Sequence, residues 1–260
     1  MNSSSSFSPF VIVGVAVLFI VIAILASKQQ KKRQEEMALF AQKLGFTFLD
    51  DGLPDQNLGM FSNLVDYVQP TTVQSPVSAA FTNFFELFQR GSGRRITNAI
   101  VGADRNGNNW YLFDYQYSVS NGKSTTTYRF GVTVVQTLVA LPTMTLSPEN
   151  FGHSIGKFLG MKEMQVESED FNKRYFIKTS DDKMSLDLLH PIAIETLLQQ
   201  PAYEWNMAGN YMMLHTMGTV QPAVFEEFTI CMNQFLDKIP TYYRQDYGAM
   251  KPNQVPPRSY

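Results

Sequence analysis

The chain has 260 residues, of which 44% are hydrophobic and 17% charged, so it can form a packed core and is not a globally disordered protein. A formal net charge of −2 gives no support for a nucleic-acid-binding protein, which normally carries a basic excess. The single cysteine, Cys231, excludes an internal disulfide and a cysteine-rich metal site.

An uncharged apolar run near the N-terminus predicts a membrane anchor. As a helix, residues 10–26 extend roughly 26 Å, close to the thickness of the hydrocarbon core of a bilayer. Cations follow this run and none precedes it. The positive-inside rule therefore predicts a single-pass membrane protein, with residues 1–9 outside, residues 10–27 transmembrane and the main domain cytoplasmic. A cleaved signal peptide is the alternative, although it would carry its positive charge before the apolar run.

The residues after the anchor predict a basic, amphipathic helix over residues 28–45. Its cations are expected at the lipid surface, where they fix the topology or attract anionic lipid. They are Lys28, Lys31, Lys32 and Arg33. An apolar stripe at helical spacing then predicts contact with the folded domain, and Gly45 marks the helix end. The stripe consists of Met37, Phe40, Ala41 and Leu44.

Residues 94–141 predict an antiparallel β-meander around which the rest of the domain is organised. Its strands are expected at residues 96–104, at residues 109–117 and from residue 125 to about residue 141. Both connections contain Asn-Gly, the pair that most readily adopts positive φ in a tight hairpin turn. Alternation along the second strand places an aromatic set on one face. This set is Tyr111, Phe113, Tyr115 and Tyr117.

The elements around the meander predict an α+β fold, with one cytosolic domain over residues 46–240 and a candidate subdivision near residue 142. Before the meander, residues 46–49 predict a short strand, residues 50–80 a long loop and the phenylalanines of residues 81–88 a return to the core. After it come a helix start at Ser147-Pro148-Glu149, a strand at residues 174–179 and one or two helices within residues 183–198, broken or restarted at His190-Pro191. These are followed by a hairpin at residues 204–216 turning at Gly209-Asn210, a helix at residues 222–238 and a disordered tail at residues 241–260.

Several short motifs resemble those of a group of uncharacterised, membrane-anchored bacterial α+β proteins. The motifs are Phe88-Gln89-Arg90-Gly91, Arg94-Arg95, Asn98, Gly102, Phe113-Asp114-Tyr115 and Leu141-Pro142. The resemblance covers most of residues 40–240, with residues 59–80 as an insertion. It implies a single helix followed by one α+β domain. It implies no activity, because the group carries no function that can be transferred.

One pentapeptide raises the alternative of a serine hydrolase. Residues 152–156, Gly-His-Ser-Ile-Gly, match the pattern of a nucleophile elbow centred on Ser154. An acid and a base follow in chain order at Asp181 and His215. However, the elbow needs a strand before its serine, whereas the sequence predicts a helix start there.

Two further local matches are incomplete. Residues 122–124, Gly-Lys-Ser, end like a phosphate-binding loop, but Tyr117 occupies the position of the first glycine. Asp104, Asn106 and Asn108 have the early spacing of a calcium loop, but Tyr115 replaces its closing glutamate, so a hairpin turn is the better interpretation. The three histidines share no metal-ligand spacing. We therefore expect no metal and no cofactor.

Asp114 is the remaining candidate because it interrupts the aromatic residues of the second strand. A carboxylate in such surroundings must be paired or hydrogen-bonded, or it takes up a proton. Arg94, Arg95 and Arg129 are the predicted partners. Asp114, Arg94 and Arg95 then form either a structural ion-pair cluster or a ligand-binding site.

Together these features predict a membrane-anchored cytosolic binding or scaffold module rather than an enzyme. Its expected partners are the lipid bilayer and another protein, without nucleic acid. The serine hydrolase is one alternative. A structural subunit of a membrane complex is another, and it predicts a large exposed apolar patch.

Overall fold

The computed structural model describes residues 9–50, 53–54, 77–149 and 161–248, with side chains from residue 17 in the first range and from residue 81 in the third. The helices in these ranges are α1 (Pro9–Leu44), α2 (Val77–Phe84), α3 (Glu169–Arg174), α4 (Asp182–Leu188), α5 (Pro191–Gln199), α6 (Pro222–Leu236) and α7 (Thr241–Asp246), with a 3₁₀ helix at Glu86–Gln89. The strands are β1 (Thr47–Leu49), β2 (Leu53–Pro54), β3 (Ser92–Ala103), β4 (Asn109–Ser120), β5 (Thr125–Pro148), β6 (Lys162–Met164), β7 (Tyr175–Thr179) and β8 (Trp205–Met217).

These strands form one antiparallel sheet, which confirms the predicted α+β class. The strand order is β1-β3-β4-β5-β7-β6, with β2 also paired to β3 and β8 also paired to β5. The predicted meander is β3-β4-β5. Gly107 and Gly122 in its two turns both have φ of 83°, a conformation that glycine adopts without steric cost.

Strand β5 is longer than predicted, because it extends to Pro148. The helix start expected at Ser147 is therefore wrong. Residues 144–148 pair with β7, so Ser147 and Pro148 belong to the sheet. Pro148 is tolerated because it stands at the very end of the strand. The candidate subdivision near residue 142 falls inside this unbroken strand. Residues 150–160, where the expected helix would continue, lie outside the described residues.

Strand β8 is continuous, so the predicted hairpin at Gly209-Asn210 is wrong. Gly209 has φ of 64° but pairs with Leu141, at shifts of register between β5 and β8. The positive φ therefore belongs to an irregularity within a strand pair, which locally bends the sheet, rather than to a turn. Strand β8 stays extended because the long β5 pairs with it on both sides of Gly209. The sequence around Gly209 does not indicate this pairing.

Both faces of the sheet are covered, and the alternation of side chains along β4 assigns its residues to one face or the other. We call the face that carries Trp110 and Leu112 the helix face, because it shares a core with residues of α1, α5 and α6. The opposite, aromatic face carries the predicted set Tyr111, Phe113, Tyr115 and Tyr117, and packs with phenylalanines of α2 and the 3₁₀ helix. Asp114 and Gln116 belong to the helix face by the same alternation.

The C-terminal part of α1 docks on the helix face, as its apolar stripe predicts. Met37, Phe40 and Ala41 are buried in the core of that face. The helix ends at Leu44, and Gly45 follows with φ of 72°. The predicted role of Gly45 as the helix stop is therefore confirmed.

No helix in the described part of the chain is both long enough and apolar enough to cross a membrane. This finding contradicts the predicted single-pass topology and its cytoplasmic placement. The large apolar side chains of residues 17–25 are 45–67% exposed.

The predicted disordered tail is wrong for residues 241–248. Helix α7 begins at Thr241, and Tyr243 inside it is fully buried with its hydroxyl donating to the carbonyl oxygen of Ala140 at 3.0 Å. The Tyr247 hydroxyl bonds the carboxylate of Asp187 at 2.8 Å. Aromatic burial against β5 thus orders this segment, although its sequence has no apolar periodicity. The rest of the predicted tail lies outside the described residues.

Candidate functional site

A cavity of about 870 Å³ lies between α1 and the helix face of the sheet. Helix α1 lines one side from Ala26 to Glu36, strands β3, β4 and β5 line the opposite side, and the connection from β8 to α6 lines its margin. Its volume falls in the range of roughly 300–1,000 Å³ typical of small-molecule sites.

An ion pair between Arg33 of α1 and Asp114 of β4 joins the two walls. Nη1 and Nη2 of Arg33 donate to Oδ2 and Oδ1 of Asp114 at 2.5 and 2.8 Å, the two-pronged geometry that binds carboxylates most strongly. Nε of Arg33 donates to the carbonyl oxygen of Val220 at 2.9 Å. The two side chains are only 11% and 15% exposed. The pair therefore fixes the position of the helix over the sheet.

Asn98 completes this network from a bulge in β3. Its Nδ2 donates to Oδ2 of Asp114 at 2.8 Å, and its Oδ1 accepts from Nε2 of Gln34 at 3.4 Å. Asn98 has φ of 49°, and it is the one non-glycine residue with positive φ in the described ranges. The register of β3 against β4 shifts between Thr97 and Ile100, so the bulge turns this side chain toward the carboxylate.

The partner of Asp114 is not one of the three predicted arginines. Arg94, near the start of β3, points back to the preceding 3₁₀ helix, where its Nη2 donates to the carbonyl oxygen of Gln89 at 2.6 Å. Arg95 and Arg129 line the cavity without pairing with Asp114. The partner is Arg33, at a sequence separation of 81 residues that no local pattern could indicate.

Arg33 therefore has a different environment from the lipid surface that was predicted for it. Its guanidinium is enclosed by the sheet, because the carboxylate of Asp114 and the carbonyl of Val220 satisfy it there. Lys32 lies 3.7 Å from Oε1 of Glu36 on the same helix, while Lys28 and Lys31 are exposed. The basic cluster is thus divided between the domain and the outer side of α1.

Arg95, Gln116 and Arg129 form a row across three strands on the cavity side of the sheet. Arg95 of β3 is opposite Gln116 of β4, which is in turn opposite Arg129 of β5. Both arginines are exposed, and neither has a side-chain hydrogen bond or an ion pair within the described part of the chain. This row therefore carries positive charge, and the guanidinium donors of its two arginines have no acceptor among the described residues.

Six amide side chains line the cavity. An amide both donates and accepts hydrogen bonds, so it matches hydroxyl groups without adding charge. These residues are Gln29, Gln30, Gln34, Asn98, Gln116 and Gln221. The wall is therefore suited to a ligand with many hydroxyl groups.

The structure does not bring the described serine-hydrolase candidates together. Asp181 caps α4, its Oδ1 accepting from the backbone N–H of Met184 at 3.0 Å. His215 lies in β8 opposite Val132, on the aromatic face, and its Nδ1 has no hydrogen-bond partner among the described residues. Ser154 lies outside the described residues, so the hydrolase alternative stays a prediction.

The environment of His215 makes a pH-dependent stability the expected result. Burial lowers the pKa of His215 below its usual 6.5, with Arg90 acting in the same direction and Glu204 against it. Below about pH 6.5 the unfolded chain therefore binds a proton at His215 that the folded protein does not bind. The free energy of unfolding consequently falls as the pH decreases through about 6.5. Chemical unfolding measured from about pH 7 to pH 5 should show a smaller loss in His215→Phe than in the wild type. Parallel curves would contradict this assignment.

The calcium-like spacing at residues 104–108 belongs to a hairpin turn, as interpreted from the sequence. Oδ1 of Asp104 accepts from the backbone N–H groups of Asn106 and Asn108 at 2.8 and 3.0 Å. Its Oδ2 accepts from Nδ2 of Asn108 and from Nε1 of Trp110, each at 2.9 Å. The carboxylate thus holds the turn together. Among the described residues, no group of three or more His, Cys, Asp or Glu side chains could hold a metal ion.

Comparison with known proteins shows a likeness of fold. No protein-family model and no curated protein matches the chain. The chain is similar to the crystal structure of the mycobacterial trehalose monomycolate transport factor A, TtfA, with a TM-score of 0.51 and 10% identity over 84% of this chain and 97% of that chain. At this identity the likeness shows a shared fold and nothing further.

Proposed function

We propose that the protein is a non-enzymatic binding module and that the cavity between α1 and the sheet takes a hydroxyl-rich polar ligand. The observation that carries this proposal is the amide-lined wall, held in place by the ion pair of Arg33 and Asp114. Amide groups placed on both the helix and the sheet allow one ligand to be contacted from two sides. Pre-formed walls also lower the entropy cost of binding.

The shared fold is compatible with this role and does not identify the ligand. TtfA is a mycobacterial trehalose monomycolate transport factor. That cargo does not carry over to this chain at 10% identity. The predicted protein partner and the alternatives of a serine hydrolase or a structural subunit stay predictions.

Blocking the cavity with a bulky side chain tests the proposal. Gln30 and Gln42 are both exposed on α1, but only Gln30 lines the cavity. A panel of mono- and disaccharides and their monophosphates would be presented to the full chain, with saturation-transfer NMR as the measurement. We expect at least one compound to bind the wild type and Gln42→Trp and to lose binding in Gln30→Trp. Binding of no compound, or equal binding to all three proteins, would overturn the proposed function.

A further inference from the structure

We propose that the ligand of this cavity carries a phosphate group, bound by the guanidinium groups of Arg95 and Arg129 with Gln116 between them. This inference rests on the proposed function of the cavity and adds the chemistry of one subsite. It assigns a role to two arginines that make no ion pair within the described ranges.

The sheet register places Arg95 and Arg129 on either side of the same residue. Arg95 and Arg129 lie on strands that flank β4, at positions directly opposite the same residue, Gln116. Strands are spaced about 4.8 Å apart, so the two backbones are separated by about 10 Å. Arginine side chains are long enough to converge above the intervening strand from that distance. Directly opposite residues also project from the same face of the sheet.

The charges on the cavity wall leave this row positive. Arg33 is neutralised by Asp114, and Lys32 lies near Glu36. Among the described residues of the wall, the charged side chains that remain are Arg95, Arg129 and Asp50, which is an excess of one positive charge. An anion between the arginines would remove their mutual repulsion and use their free donors.

A phosphate fits this row better than a carboxylate does. A carboxylate has two coplanar oxygens and matches a single guanidinium fork. A phosphate monoester offers three terminal oxygens in tetrahedral directions, so two guanidinium groups approaching from opposite sides and the amide of Gln116 can all donate to it. A phosphate of this kind can belong to a soluble ester or to the headgroup of a lipid.

Isothermal titration calorimetry with the full chain tests the subsite. The probes are glucose monophosphate, glucose, inorganic phosphate and dihexanoyl phosphatidic acid, a lipid short enough to be titrated as monomers. We expect the phosphate-bearing probes to bind and glucose alone to bind more weakly. Arg95→Ala and Arg129→Ala should each weaken the phosphate-bearing probes by about tenfold or more, because a hydrogen bond to a charged group is lost. Tighter binding of the lipid or of the sugar phosphate identifies the source of the phosphate.

Arg105→Ala is the matched control, since Arg105 is an exposed arginine in the turn between β3 and β4 that does not line the cavity. It should leave every affinity unchanged, and thermal unfolding should show that all three variants fold. Equal affinity for glucose and glucose monophosphate, or unchanged affinity in both arginine variants, overturns the phosphate subsite and leaves the binding cavity intact. Binding of none of the probes, together with a negative saccharide panel, overturns both proposals.

Discussion

Asp114→Ala is expected to lower the free energy of unfolding by about 3 kcal/mol, because it leaves the enclosed guanidinium of Arg33 without its counter-charge. The carboxylate also accepts from Asn98, so the substitution removes the acceptor for two side chains at once. Chemical denaturation followed by circular dichroism measures this change. Since the pair joins α1 to the sheet, the same variant should also lose binding in the cavity.

A second ion pair on α1 supplies the control for Asp114→Ala. Lys43 contacts Glu226 of α6 at 2.5 Å, but these side chains are 67% and 42% exposed. Exposed pairs contribute about 1 kcal/mol or less, so Glu226→Ala should change stability by no more than that. Replacing both members of the enclosed pair, as in Arg33→Met with Asp114→Leu, should cost less than Asp114→Ala alone, because no buried charge is then left unpaired. A loss for Asp114→Ala as small as that for Glu226→Ala would show that the pair does not hold α1 on the sheet.

Tyr243→Ala is expected to destabilise the protein by about 3–5 kcal/mol, the usual cost of removing a large aromatic side chain from a core. Tyr243 is fully buried, and its hydroxyl donates to the carbonyl oxygen of Ala140 in β5. The substitution therefore creates a cavity and leaves a backbone acceptor unpaired. Equilibrium unfolding in urea gives the free-energy difference.

The neighbouring tyrosine distinguishes loss of packing from a general effect of changing α7. Tyr242 is 46% exposed, although its hydroxyl donates to the carbonyl oxygen of Asp187 at 3.0 Å. Tyr242→Ala should therefore cost about 1 kcal/mol, the net value of an ordinary hydrogen bond. Similar small losses for both tyrosines would mean that the segment after Pro240 is not part of the folded core.

The correct sequence predictions concern structure that neighbouring residues specify. Asn-Gly pairs predict the two hairpin turns because they accept positive φ, and these turns fix the register of the meander. Alternation along β4 separates the aromatic face from the helix face. The stop at Gly45 and the break between α4 and α5 at His190-Pro191 likewise follow from local backbone preferences.

The errors arise where a distant partner overrides a local preference. A capping serine followed by proline predicts a helix at Ser147, but pairing with β7 holds these residues in β5. Gly209-Asn210 suggests a turn, but the length of β5 keeps β8 extended through it. The tyrosines after Pro240 show no periodicity, yet Tyr243 is buried against β5, and Gly248 forms a bridge to Val139 of the same strand.

The sequence by itself determined the α+β class, the meander and the need of the Asp114 carboxylate for a partner, since each depends on residues close together in the chain. Only the tertiary structure decided that Arg33 is the partner of Asp114 and that Arg95 and Arg129 stay available beside a cavity. The physical reason is that charge pairing depends on distance in space. The docking of α1 brings one arginine within reach of the carboxylate and leaves the other two along the opposite wall.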